Sequence, residues 1–119
     1  MLFGGAQGVK MKHKNMDIEL LYFKDCPSWK NALETLEAIV EEYGISSKIS
    51  LIRVETQEEA VLHGFVGSPT IRVNKKDLFP TDQGQFALGC RIYQTSEGLK
   101  GWPTKEMLLE KLAPMMSEE

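Results

Sequence analysis

The first half of the chain switches between two hydrophobic periods. Residues 17–23 are apolar and rich in strand-forming side chains, so they predict a largely buried strand. Over residues 27–43 apolar positions recur at steps of three and four, which is typical of an amphipathic helix. Pro27 suits the first turn of this helix, and Gly44 ends it. A second strand over residues 49–54 follows, and the helix between the two strands favours their parallel pairing.

The second half of the chain predicts two further strands and two helices. A short helix covers residues 57–63, and a strand follows within residues 65–73. Residues 74–88 form a polar, turn-rich connection, which is long for a hairpin. Residues 90–94 give a brief fourth strand, and residues 104–113 give a final helix with a threonine at its N-cap.

The summed order is β-α-β-α-β-β-α, which predicts an α/β fold. We expect a four-stranded mixed sheet flanked by three helices, two on one face and one on the other. The length of 119 residues fits one domain with one hydrophobic core. Residues 1–16 carry three glycines and a lysine cluster without a sustained period, so we interpret them as a flexible leader. The domain itself is expected over residues 17–119.

Composition narrows the classes of function. There are 14 Lys and Arg residues against 17 Asp and Glu residues, so the chain lacks the basic footprint of a nucleic-acid-binding protein. No stretch approaches the roughly 20 apolar residues of a membrane span, and the first residues lack the apolar block of a secretory signal. Two cysteines far apart in sequence do not make a disulfide scaffold. We therefore expect a cytoplasmic monomer with no nucleic-acid or membrane partner.

Cys26 is the best candidate nucleophile. It lies between the first strand and the first helix, where unsatisfied amide hydrogens and the positive end of the helix dipole favour an anion. Helix N-termini lower the pKa of a cysteine thiol, and the thiolate is the reactive form. Lys24 would stabilise the thiolate, whereas Asp25 would oppose it. The alternative from position alone is a small apolar residue packed beneath the helix.

A second motif adds a resemblance to a known family. Cys26-Pro27 opens a long helix after a strand, and the run Val66-Gly67-Ser68-Pro69-Thr70-Ile71 precedes the third strand. With the order of elements, this resembles the thioredoxin-fold superfamily, and more narrowly its small bacterial thioredoxin-like or glutaredoxin-like proteins with a single active-site cysteine. The resemblance implies a cis Pro69 beside Cys26 and a Ser68 backbone free to pair with a bound peptide or thiol chain. The alternative for Pro69 is an ordinary trans proline at the start of a strand.

The resemblance also assigns the residues of the site. Cys26 would be the catalytic residue. The substrate-binding residues would flank it on the helix and on the turn before the third strand: Pro27, Ser28, Trp29, Ser68, Pro69 and Thr70.

The chain departs from the family at two places. Trp29 stands where Cys-x-x-Cys proteins have their second cysteine, so this motif contains no resolving thiolate. The stretch Thr95–Gly101 lacks the tandem glycines and the aspartate pair with which monothiol glutaredoxins hold glutathione. This difference argues against a dedicated glutathione site and against an iron–sulfur cluster bridged by two subunits. We expect no bound cofactor, with glutathione left as a co-substrate.

Cys90 is interpreted as a buried structural thiol. On a fourth strand antiparallel to the third, it would lie three or four residues from the active edge, roughly 10 Å or more at strand spacing. A disulfide needs Cα atoms within about 7 Å, so we expect no bond between Cys26 and Cys90. His13 and His63 have no cysteine or carboxylate at zinc-site spacing, and we expect no metal site.

Two functional hypotheses follow from this sequence. In the first, the protein is a monothiol thiol–disulfide oxidoreductase: Cys26 attacks a disulfide of a protein or small molecule, and an external thiol completes turnover. In the second, the fold is a non-catalytic module that binds a protein, a peptide or a soft metal ion through Cys26 and the apolar surface near Trp29.

Overall fold

The computed structural model describes residues 16–81, residue 86 and residues 88–116. The predicted leader therefore lies outside the described residues, except for Met16. The side chain of Met16 is 4% exposed and belongs to the hydrophobic core.

The described residues form six short strands and three helices. The longest helix has 15 residues, and none of the helices in this part of the chain is both long and apolar enough to cross a bilayer. In chain order the elements are β1 (Ile18–Tyr22), α1 (Ser28–Glu42), β2 (Ile49–Arg53), α2 (Gln57–His63), β3 (Thr70–Val73), β4 (Lys76–Asp77), β5 (Tyr93–Thr95), β6 (Gly98–Lys100) and α3 (Lys105–Met116).

The main sheet has four strands in the order β2-β1-β3-β4. β1 pairs with β2 in parallel, as expected for strands joined by a helix, and Ile18 lies opposite Ile49. On its other side β1 pairs with β3 in the antiparallel direction, and Leu20 lies opposite Ile71. The prediction of an α/β fold with a four-stranded mixed sheet and three helices is confirmed.

The fourth strand is not the one that the sequence predicted. Asn74 and Lys75 both have positive φ angles, 54° and 72°, which is the backbone of a two-residue hairpin turn. This turn sends the chain straight back, so that β4 pairs with the end of β3. The prediction of residues 90–94 as the fourth strand was wrong: β5 pairs instead with β6 in a separate two-stranded sheet.

The two faces of the main sheet carry different amounts of apolar packing. The larger cluster contains side chains from α1 and α3, including Leu36 and Leu108, against Ile18 and Ile71 of the sheet. The smaller cluster packs α2 on the opposite face, where Leu21 points because side chains alternate along a strand. The prediction of two helices on one face and one on the other is confirmed.

The last helix begins where the sequence predicted and ends later. The hydroxyl oxygen of Thr104 accepts a hydrogen bond from the backbone N–H of Met107 (3.1 Å), so Thr104 is the N-cap. The helix continues past Ala113 to Met116, with Pro114 in its final turn. The buried side chain of Met116 is part of the larger core cluster, and this packing favours the extra turn.

Candidate functional site

Cys26 lies in the turn that joins β1 to α1. Its backbone N–H donates to the carbonyl oxygen of Phe23 (3.0 Å), and its own carbonyl oxygen accepts from the N–H of Trp29 at 3.5 Å. Pro27 is the N-cap residue and makes no side-chain cap, and the first turn of α1 contains no acidic side chain. The positive end of the α1 dipole therefore meets no carboxylate from its own first turn, and Cys26 lies beside it.

Cys26 is joined to Cys90 by a disulfide, with the two Cα atoms 5.8 Å apart. The expectation that the two cysteines do not pair was wrong. It assumed that Cys90 follows β3 along an antiparallel strand, whereas β4 takes that place and the chain returns to Cys90 beside the start of β3. Cys90 is also exposed rather than buried, whereas Cys26 is only 2% exposed.

The segment Gly89–Arg91 pairs with the backbone of Ser68. The N–H of Ser68 donates to the carbonyl oxygen of Gly89 (2.8 Å), and the N–H of Arg91 donates to the carbonyl oxygen of Ser68 at 2.9 Å. The resemblance implied that this backbone would be free for a bound partner, which is wrong for the oxidised chain, because its own residues occupy it. The implied cis peptide between Ser68 and Pro69 is confirmed.

Gly67 allows the close approach of the two segments. Its φ angle is +126°, and a Cβ atom at this position would lie 2.9 Å from the Cβ and 3.2 Å from the Cα of Arg91. No side chain fits there without moving the segment that carries Cys90. Gly67 is therefore a structural requirement of the pairing that brings Cys90 to Cys26.

The side chain of Arg91 anchors the Cys90 segment. Its guanidinium donates to a carboxylate oxygen of Asp77 (3.0 Å) and to the carbonyl oxygen of Phe79. It also lies 4.7 Å from the ring centre of Tyr93, within the range of a cation–π contact. Arg91 is only 8% exposed. Its ion pair with Asp77 therefore ties the Cys90 segment to β4 in a mostly water-excluded environment.

Tyr93 provides a second anchor for this segment. Its phenol donates a hydrogen bond to the carbonyl oxygen of Pro69 at 2.5 Å. Burial raises the pKa of this phenol well above its ordinary value. Tyr93 therefore stays a neutral hydrogen-bond donor at neutral pH.

The six predicted substrate-binding residues divide into two groups. Ser68, Pro69 and Thr70 are all buried, and the hydroxyl of Thr70 donates to the carbonyl oxygen of Gly67 at 2.6 Å. These three residues lie close to the disulfide, but in the oxidised chain they are covered by the Cys90 segment.

The other three residues lie along the start of α1. Pro27 is exposed, and Ser28 is half-buried against Gly101. The Trp29 ring stacks on Tyr22, with ring centres 4.2 Å apart. Trp29 is thus part of the packing between β1 and α1, and its indole N–H has no hydrogen-bond partner among the described residues.

Three residues that hold the Cys90 segment were not among the predicted site residues: Asp77, Arg91 and Tyr93. Arg91 binds Asp77, and the neighbouring Arg72 donates to the carbonyl oxygen of Gly64 (3.1 Å). Asp77 carried no signal because it lies in the polar connection 74–88, and Tyr93 was assigned only to the predicted strand over residues 90–94.

An open pocket of about 600 Å³ lies beside Cys90. Its wall includes the apolar or aromatic side chains of Phe79, Tyr93 and Met107 beside polar ones, so the described surface around the exposed cysteine is mixed in character. The pocket gives a small molecule or a side chain access to the Cys90 end of the disulfide. The Cys26 end has no comparable access, because Cys26 is buried.

The described residues contain no group of three or more His, Cys, Asp or Glu side chains placed to hold a metal ion. Comparison with known proteins gives no match to a family model, to a curated protein or to a solved structure. The interpretation of the site therefore depends on its own geometry.

Proposed function

We propose that the protein is a thiol–disulfide oxidoreductase that cycles Cys26 and Cys90 between a disulfide and two thiols. The observation that carries this proposal is the asymmetry of the bond. It joins a buried cysteine at a helix N-terminus to an exposed cysteine beside an open pocket. Exposed disulfides are more easily reduced than structural ones, and a helix N-terminus stabilises the thiolate that reduction releases.

We also propose that the fold is thioredoxin-like. With the β5–β6 hairpin set aside, the order β-α-β-α-β-β-α, the mixed sheet β2-β1-β3-β4 and a cysteine between β1 and α1 support this assignment. The β5–β6 hairpin is an addition between β4 and α3.

In this proposal Cys90 replaces the external resolving thiol that the sequence suggested. Trp29 occupies the position where a Cys-x-x-Cys motif would supply the second thiol. Cys90 lies 64 residues after Cys26 in the sequence, yet its sulfur is bonded to the Cys26 sulfur. When Cys26 of the reduced protein forms a mixed disulfide with a substrate, attack by the Cys90 thiolate on Cys26 restores the internal disulfide and releases the reduced substrate thiol.

A glutathione-dependent reductase assay on a small disulfide tests the proposal. We expect the parent protein to accelerate reduction and Cys26→Ser to return the rate to background. Cys90→Ser separates the two modes of resolution: a loss of most activity supports the internal thiol, whereas full activity supports an external one. Background rates for all three proteins would contradict the redox function and favour a binding module.

A further inference from the structure

The oxidised protein presents the two sulfur atoms of its disulfide very differently. Cys26 is 2% exposed, and its Sγ lies 3.9 Å from the carbonyl oxygen of Ser68. A thiolate that approached Cys26 would have to displace this packing and would meet the negative end of a carbonyl dipole. Cys90 is exposed and forms part of the wall of the open pocket.

The described groups around the pocket place no negative charge beside Cys90. Among the described residues no carboxylate lines the pocket, and the one charged lining side chain is Arg91. An anionic thiolate therefore meets no like charge from these residues on its way to Cys90. The Cys26 sulfur lies at the N-terminus of α1, where a leaving thiolate is stabilised.

We propose that reducing thiols enter this pocket and attack Cys90, so that the mixed disulfide forms on Cys90 and Cys26 is the leaving group. This inference rests on the proposed function and assigns the order of its steps. The incoming thiolate RS⁻ forms a bond to the Cys90 sulfur, and the bond between the two cysteines breaks with its electron pair on Cys26. A second RS⁻ then attacks the R sulfur of the mixed disulfide, which gives RSSR and the Cys90 thiolate. Two thiols are oxidised and one protein disulfide is reduced.

The position of the first mixed disulfide can be read directly by mass spectrometry. The oxidised protein is mixed with glutathione and quenched with acid at the earliest times. It is then unfolded, labelled with N-ethylmaleimide and digested with trypsin. Cleavage after lysine and arginine places Cys26 in the peptide of residues 25–30 and Cys90 in the peptide of residues 77–91. We expect glutathione on the Cys90 peptide and maleimide on the Cys26 peptide.

The other outcomes separate this inference from the proposed function. Glutathione on the Cys26 peptide and maleimide on the Cys90 peptide would overturn the order of attack and leave the redox function intact. An intact disulfide under conditions that reduce the urea-unfolded protein would contradict both.

Two substitutions of Met107 test the route of entry. Met107 lines the pocket, and its N–H is capped by Thr104. Met107 is the third residue of α3 after its threonine N-cap, where Glu and Gln are both favourable, so both variants should fold. Met107→Glu places a negative charge in the pocket, whereas Met107→Gln is the neutral control.

We expect glutathione to reduce Met107→Glu about threefold more slowly than Met107→Gln, because a like charge several ångströms from the thiolate repels it through water. The two variants should react at the same rate when they are unfolded in urea. Equal rates in the folded proteins would overturn entry through this pocket.

Discussion

The two cysteines of this protein are held in contrasting ways. Cys26 is buried in the turn between β1 and α1. Hydrogen bonds of its own backbone N–H and carbonyl oxygen fix its position. Cys90 belongs to a segment whose described backbone pairs with Ser68, just before β3, and which is held by the side chains of Arg91 and Tyr93. After reduction we therefore expect Cys26 to stay in place and the Cys90 segment to depend on these backbone and side-chain contacts.

The largest expected effect comes from removal of the disulfide. Its sequence separation is 64 residues, and the chain-entropy relation for a loop of this length gives about 4 kcal/mol of stability. We expect Cys90→Ser to lose about this amount in a denaturant titration against the oxidised parent. Cys26→Ser should lose more, because it also places a hydroxyl in a buried position. Equal losses would contradict the contrast between the two environments.

Substitution of Arg91 tests the anchor of the Cys90 segment. Arg91→Ala removes the donor from one carboxylate oxygen of Asp77 and from the carbonyl oxygen of Phe79 in a mostly buried place, and we expect the free energy of unfolding to fall by about 3 kcal/mol. The matched control is Arg53→Ala, which removes an ion pair with Glu55 that is well exposed on both sides. This control should have little measurable effect on the free energy of unfolding. A cost for Arg91→Ala no greater than that of the control would show that the ion pair does not hold the segment.

A methyl group at Gly67 tests the close approach of the two segments. Gly67→Ala adds a Cβ at a positive φ angle and 2.9 Å from the Cβ of Arg91, so we expect a loss of about 2 kcal/mol. Gly98 also has a positive φ angle, +104°, but no atom lies within 4 Å of the corresponding Cβ position. Gly98→Ala should therefore cost about 1 kcal/mol from the backbone alone.

Hydrogen exchange locates the effect of these two glycine variants. In Gly67→Ala the Arg91 amide should exchange faster, because its bond to the Ser68 carbonyl is displaced. In Gly98→Ala the same amide should keep the parent rate. Faster exchange in both variants would mean that the Cys90 segment responds to general destabilisation and not to contact with Gly67.

The smallest expected effect concerns Tyr93. Tyr93→Phe removes the hydrogen bond to the Pro69 carbonyl and should cost about 1 kcal/mol near neutral pH. Because burial raises the pKa of the folded phenol above its ordinary 10.0, its contribution is complete below about pH 10 and is lost as the pH rises further. Denaturant titrations of both proteins from pH 7 to 11 should therefore show their difference in stability shrinking above pH 10. A constant difference would contradict a buried, neutral phenol.

The two elements that flank Cys26, β1 and α1, could be predicted from the sequence because local hydrophobic patterns determine them. The apolar spacing from Trp29 to Tyr43 predicted α1, and the short apolar run before it predicted β1. Their junction follows directly, so Cys26 was found at a helix N-terminus from the pattern alone. Even the N-cap of α3 had a recognisable signal in Thr104.

The position of Cys90 beside Cys26 could not be predicted, because contacts between residues far apart in sequence determine it. The hairpin turn had one usable signal, since asparagine tolerates the positive φ angle that Asn74 adopts. Because this turn was not predicted, β4 was missed and Cys90 was assigned to the fourth strand. The path to Cys90 then depends on Gly67, Arg91 and Asp77, which are far apart in sequence and have no shared period.

The central claim, that Cys26 and Cys90 form a redox-active pair, is tested most directly by equilibrium with thiol–disulfide buffers. The fraction of oxidised protein is measured by mass after acid quench and alkylation, and circular dichroism monitors the fold. We predict one two-electron transition with a midpoint between about −120 and −270 mV, the range of thiol–disulfide oxidoreductases, with the main sheet still folded. A disulfide that resists reduction until below about −300 mV, or that is reduced only as the protein unfolds, would contradict the claim and identify a structural bond.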